Sequence, residues 1–99
     1  MLIVQHNCNR AYATGIAALE TGLEIGAALV CLQEPSIRGD WGHPGYTIYW
    51  PECGNRGNHR VAVAVRRGLS HALAIDTRTD LVNHPYIMVM DVWELAPGP

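Results

Sequence analysis

Two residues of this chain have types and positions that suit work on a phosphate or a cation: Asn7 and Glu34. Asn7 follows an apolar, β-prone run over residues 1–6, and Glu34 follows a second apolar run over residues 27–33 (AALVCLQ). Residues 11–25 between them are Ala-rich, with Ile16, Leu19 and Leu23 at helical spacing and Glu20 and Glu24 on the other face. Gly15 and Gly22 weaken that helix, and Gly26 is a natural cap. Strand, helix and strand over about 33 residues is the size of a βαβ unit, whose strands run parallel. Asn7 and Glu34 then share one sheet edge, where ligands of α/β units bind. An amide and a carboxylate meeting there could hold a hard divalent cation. Mg²⁺ takes oxygen ligands, needs only one or two carboxylates and keeps several waters. So placed, it could polarise a phosphoryl oxygen and stabilise a leaving oxygen. The alternative is that Asn7 caps a turn and Glu34 is simply solvated before Pro35.

The elements that must position these residues continue in a different grammar. Residues 36–44 read as a polar loop with Gly39, Gly42 and Pro44, and residues 51–59 as a loop with two glycines and two asparagines. Residues 46–50 (YTIYW) and 61–65 (VAVAV) read as strands, the second with Val on one face and Ala on the other. A weaker strand is expected over 69–75 and a long one over 86–95 (YIMVMDVWEL). Short connections favour antiparallel pairing in a β-meander, so the architecture is α+β: a βαβ start followed by antiparallel strands. The last strand is apolar on both faces until Asp91 and expects cover on both sides. One helix cannot supply it. Residues 1–99 therefore read as one partial domain, the first part of something larger, with an uncovered sheet face that favours self-association.

Composition narrows the classes. Nine acidic and seven basic residues give a formal charge of −2, which excludes a strongly basic nucleic-acid footprint but not a local patch. All fixed positive charge is Arg, since the chain has no Lys. Nearly half the residues are apolar, so a disordered tail is not expected. No run approaches a membrane span, and the N-terminus has no signal-peptide pattern. Three cysteines without C-x-x-C pairing argue for reduced thiols and an intracellular protein.

The segment Val4-Gln5-His6-Asn7-Cys8-Asn9-Arg10 resembles the opening motif of the endonuclease/exonuclease/phosphatase superfamily. It is most similar to the endonuclease domains of non-LTR retrotransposons, which often open with Q-x-N-x-N-R; His6 departs from the commoner Trp or Val. Cys31-Leu32-Gln33-Glu34-Pro35 looks like the second motif, a strand ending in Q-E-P or Q-E-T. Arg60-Val61-Ala62-Val63-Ala64-Val65 resembles the family's G-V-A-I-L-V strand, and Tyr86-Ile87-Met88-Val89 the strand before its next catalytic segment. The likeness reaches about Trp93. It implies a two-sheet β-sandwich flanked by helices that cleaves phosphodiesters of DNA with Mg²⁺ or Mn²⁺. It implies that Glu34 ligates the metal, that Asn7 orients the metal shell or the phosphate, that Asn9 supports the loop and that Arg10 meets a DNA phosphate. For an active retroelement it implies work in the nucleus.

The family's later motifs, a Tyr, an Asp-x-Asn pair and a Ser-Asp-His, are not present in these 99 residues. Hydrolysis needs a base for the water, and lacking one costs about 10²–10⁴ in rate. This chain alone is therefore expected to be an inactive N-terminal half. A non-catalytic nucleic-acid-binding relic is the alternative, as is a phosphatase or sphingomyelinase branch of the same superfamily, since substrate choice lies in loops rather than in the shared core.

Other features have two readings each. Arg56, Arg60, Arg66 and Arg67 form a basic cluster that could track a DNA backbone or be a solvated hairpin end. Trp41, Tyr46, Tyr49 and Trp50 could stack on bases or pack in the core. His84 is expected to be a loop residue rather than a base. A zinc site from His6, Cys8, Cys31, Cys53 and His59 lacks the usual ligand spacing, and the cysteines read better as small core residues.

Overall fold

The computed structural model describes residues 1–36, 42–51, 60–68, 73–82, 84 and 86–95. Strand β1 (Ile3–Asn7), helix α1 (Tyr12–Ile25) and strand β2 (Leu29–Gln33) come first, and β1 and β2 are parallel and in register from Ile3↔Leu29 to Asn7↔Gln33. The expected βαβ unit is therefore present. Strands β3 (Tyr46–Tyr49) and β4 (Val61–Arg66) pair antiparallel, as do β5 (Leu73–Thr77) and β6 (Met90–Glu94). The result is a small α+β fold with a mixed four-stranded sheet, order β1-β2-β4-β3, and a separate antiparallel ribbon, β5-β6.

Helix α1 lies close to the sheet because its buried face is built of small residues. Gly15, Ala18 and Gly22 flank the fully buried Leu19. A methyl group on Gly22 would stand 2.6 Å from the Tyr46 hydroxyl and 2.8 Å from Val30 Cγ2. The glycine that costs helix propensity thus permits the approach. Gly26 ends the helix in the left-handed conformation (φ 79°), as its position in the sequence implies. Pleat alternation then decides the facing of the sheet. Val30, Leu32, Ala62 and Ala64 point to the helix and join Cys8, Ala18, Leu19, Ala27 and Tyr46 in the core. The Ala face of β4 is the covered one; its Val61 and Val63 stand half-exposed opposite.

Tyr46 is a core residue, not a base-stacking one. It is fully buried, and its hydroxyl donates to the Ala27 carbonyl at 3.2 Å. Burial pushes its phenol up, against the partly opposing field of Arg66. Trp50 packs against the same core. The approach to β3 is tied to the helix by His43. Its Nδ1 accepts from the Gly45 N–H (3.0 Å), so Nε2 carries the proton and donates to Glu20 at 2.8 Å.

Four expectations need correction. The late strands are not one meander: β4 inserts between β2 and β3, because it pairs with both and β5 pairs only with β6. The long strand over 86–95 is shorter, since a turn interrupts it. The Ile87 N–H donates to the His84 carbonyl (3.4 Å) and the Tyr86 N–H to the His84 ring (3.1 Å), and the ladder begins only at Met90. This strand's missing cover, by contrast, is what a chain with one helix implies: Ile87 and Trp93 are about half exposed. The basic cluster is divided, because Arg60 immediately precedes β4 while Arg66 ends it, roughly 20 Å away at the usual strand rise. Of the strand expected over 69–75, β5 takes up Leu73 and runs on to Thr77; residues 69–72 lie outside the described part, as do Trp41, Cys53, Arg56 and His59.

Candidate functional site

The carboxyl ends of β1 and β2 open onto a pocket of about 460 Å³, lined by Asn7, Gln33, Glu34, Arg60, Val61 and Tyr86. Parallel pairing brings Asn7 and Glu34 together across 27 residues of sequence, as their spacing predicts. Gln33 is the last residue of β2, Arg60 is the residue before β4, Val61 is the first of β4, and Tyr86 comes from the turn before β6. Sequence reasoning did not place Gln33, Arg60 and Tyr86 at this site. Gln33 was visible as the neighbour of Glu34 in the Q-E-P motif. Arg60 needed the antiparallel register of β2 and β4, a non-local fact.

The backbone of the site is unusual and tightly held. The non-glycine residues with positive φ among those described are Asn9 (49°), Arg10 (60°) and Glu34 (48°), and all three border these strand ends. Asn tolerates this region; Arg and Glu do so at a cost. Main-chain bonds hold them there. The Cys8 N–H donates to the Gln33 carbonyl at 2.8 Å, and the Arg10 N–H to the Glu34 carbonyl at 2.9 Å. The Glu34 N–H donates to the Arg60 carbonyl at 2.7 Å. The loop after β1, the residue after β2 and the first residue before β4 are thus locked together. Strain over-determined in this way gathers where function needs a fixed geometry.

Asn7 does cap a turn: its Oδ1 accepts the Asn9 N–H at 2.9 Å. The same oxygen keeps a second lone pair, and the amide also lines the pocket. Glu34 is half-buried with its carboxylate facing Arg60, Oε1 to Nη1 at 3.6 Å. The Arg60 guanidinium lies 5.4 Å from the centroid of the Tyr86 ring, within cation–π range. Asn9 and Arg10 are exposed and stand outside the pocket lining. His84 is exposed, occupied by its turn bond and edge-on to Tyr86.

Among the described residues no three of His, Cys, Asp and Glu gather as a metal cluster. The two described cysteines are also on opposite faces of the sheet. Cys8 lies in the core with the helix, while Cys31 alternates with Val30 and Leu32 and faces the other way. Burial pushes both thiols up, and a hydrogen bond with Thr14 offsets this in part for Cys8. Both are therefore protonated at neutral pH and poor ligands or nucleophiles. A cation in the strand-end pocket would be held by Glu34 and Asn7, with water for the rest. One carboxylate and one amide oxygen fit Mg²⁺ or Mn²⁺ in that form and do not fit an all-protein zinc cage.

A second charged group sits on the ribbon. Arg78 binds Asp80 and Asp91 at 2.8 and 2.7 Å, and the Arg78 guanidinium holds the Asp80 carboxyl below its usual value. Both acids are exposed, and the arrangement closes the turn after β5.

Compared with family models, with curated proteins and with solved structures, the chain matches none. Among the described residues no helix is long and apolar enough to cross a membrane.

Proposed function

We propose that the strand-end pocket is the cation and phosphate site of a phosphodiester-cleaving DNA endonuclease of the endonuclease/exonuclease/phosphatase type, closest to the retrotransposon branch. In this reading the four-stranded sheet and the ribbon belong to the two sheets of that family's sandwich. The observation that carries it is the meeting of Asn7 and Glu34 in one pocket at the carboxyl ends of parallel strands, on a backbone held in three left-handed residues.

Glu34 would ligate Mg²⁺ or Mn²⁺, and Asn7 would orient the water shell or the phosphate. The bound cation would supply charge stabilisation at a phosphoryl oxygen. Asn9 fixes Asn7 through the turn, and the exposed Arg10 is free to approach a neighbouring DNA phosphate. Among the described residues the pocket lining holds no imidazole and no second carboxylate, so it offers no base for the attacking water. The 99-residue chain is therefore expected to bind cation without cleaving DNA.

The test is paramagnetic broadening of backbone amides by Mn²⁺ in the ¹⁵N-labelled chain. Saturable broadening centred on Asn7 and Glu34, absent in Glu34→Gln, is the expected result. Broadening spread over the surface acids and unchanged by the substitution would overturn the cation site. Plasmid nicking that depends on Glu34 would overturn the expected inactivity. The second reading, a DNA-binding module without catalysis, draws on the Arg60 guanidinium beside Glu34. Salt-sensitive DNA affinity that persists in EDTA and in Glu34→Ala would favour it.

A further inference from the structure

We propose that this pocket binds a phosphate group directly on the Arg60 guanidinium, and that the phosphate does so by displacing Glu34, which is the guanidinium's internal counter-ion. The inference rests on the phosphodiester reading for its choice of anion, but its test uses no metal.

Arg60 is placed as an anion ligand rather than as half of a structural ion pair. Its side chain is 26% exposed and forms part of the pocket wall with the amides of Asn7 and Gln33. At 3.6 Å its contact with Glu34 is too long for a hydrogen bond. A guanidinium has five N–H donors. Among the described residues its partners are that distant carboxylate and the face of Tyr86, and neither takes a hydrogen bond from it. The Tyr86 ring lies 5.4 Å from the guanidinium and lines the same pocket, so it supports the cation without accepting its N–H donors in the way a carboxylate would. The Arg60 backbone is fixed independently, since its carbonyl accepts the Glu34 N–H at 2.7 Å. A phosphate oxygen would thus meet a cation already positioned, with side-chain amide donors nearby. Guanidinium–phosphate hydrogen bonds are short and charge-assisted, and outcompete a loose contact with a solvated carboxylate.

Glu34 then has two partners, and which it takes depends on what fills the pocket. With the pocket empty its charge faces Arg60. With phosphate on Arg60 the carboxylate is released toward a cation. A structural ion pair has no such exchange.

The experiment is a titration of the ¹⁵N-labelled 99-residue chain with sodium phosphate at constant ionic strength, in EDTA, followed by NMR of the Arg side chains and the Gln33, Arg60 and Val61 amides. Saturable shifts confined to this group are expected. Arg60→Met should weaken binding about tenfold or more, because the charged donors are gone. Tyr86→Leu should weaken it about two- to fivefold through loss of the ring under the guanidinium. Glu34→Gln should tighten it about two- to fivefold by removing the competing carboxylate. That last sign is one that a merely structural role for Glu34 would not produce. Arg60 exposes its side chain and keeps its backbone bond in the variant, and circular dichroism checks that each variant is folded. Phosphate shifts that survive Arg60→Met, weaker binding in Glu34→Gln, or equal shifts with acetate would each overturn the proposal. If Mn²⁺ fails to bind Glu34 while phosphate binds Arg60, the cation reading alone falls. If the reverse is found, the present inference alone falls.

Discussion

A glutamate held at φ 48° carries a β-carbon close to its own carbonyl, at a cost of roughly 1–2 kcal/mol relative to ordinary backbone. Three main-chain hydrogen bonds keep Glu34 and its neighbours there, and they do not depend on the identity of the side chain. Glycine at this position would remove the penalty, and would return roughly 0.5–1 kcal/mol of it through a freer unfolded chain. Glu34→Gly is therefore expected to be as stable as the parent chain or more so, by up to about 1 kcal/mol. Glu34→Gln keeps the strain and should leave stability within about 0.5 kcal/mol. Both lose the carboxylate. Urea unfolding of the three chains checks this. A loss of more than about 1 kcal/mol in Glu34→Gly would mean that the side-chain pair with Arg60 outweighs the strain.

Helix α1 shows how far an element can be read from its residues. The expected span 11–25 agrees with the observed Tyr12–Ile25, and the end at the Gly26 cap follows from local chemistry, whereas no side-chain cap marks the start. The parallel pairing of the strands it joins follows from the order of the elements. What periodicity could not supply is the depth of packing. Gly22 reads locally as a weak point, since Ala has the better helix propensity by roughly 0.8–1.0 kcal/mol. In the folded chain an added methyl would overlap Val30 Cγ2 and the Tyr46 hydroxyl. Val30 is stiff at χ1, and Tyr46 is fixed by its bond to Ala27. Overpacking of this kind costs typically about 1–3 kcal/mol, which exceeds the propensity gain. Gly22→Ala is therefore expected to destabilise by about 1–2 kcal/mol, measured by thermal or urea unfolding. A more stable variant would show that the helix can move outward without loss. The site divides in the same way. Asn7 and Glu34 were legible because a βαβ unit fixes both ends of its strands. Arg60 and Tyr86 reach the pocket through an inserted antiparallel strand and a turn at His84, which pairing chooses and local sequence does not.

Across the whole molecule the chain divides into a well-tied sheet and a less well-tied ribbon. Strands β2 and β4 are paired on both edges, and the helix covers one of their faces. Strands β5 and β6 have only each other, and among the described residues neither makes an extensive contact with the helix or the four-stranded sheet. A two-stranded ribbon is marginal in water, so its stability should lie well below that of the sheet. Trp93, Leu95, Tyr86 and Ile87 expose apolar surface on or beside it, which gives it little burial to draw on. Native-state hydrogen exchange should therefore show the slowest amides at Val30, Cys31, Leu32, Ala62, Val63 and Ala64. The ribbon amides of Ala74, Ile75, Val92 and Trp93 should exchange at least about tenfold faster, as sub-global opening of a less buried unit requires. Binding at the pocket should narrow the gap, because Tyr86 borders the ribbon while Arg60 belongs to the sheet, and a phosphate that orders the guanidinium orders the ring against it. Equal protection in both parts without ligand would mean that the ribbon opens only with the sheet. The Arg60–Tyr86 contact would then be one fixed joint in a single cooperative unit, and a pocket so rigid would have no room for the exchange of partners at Glu34.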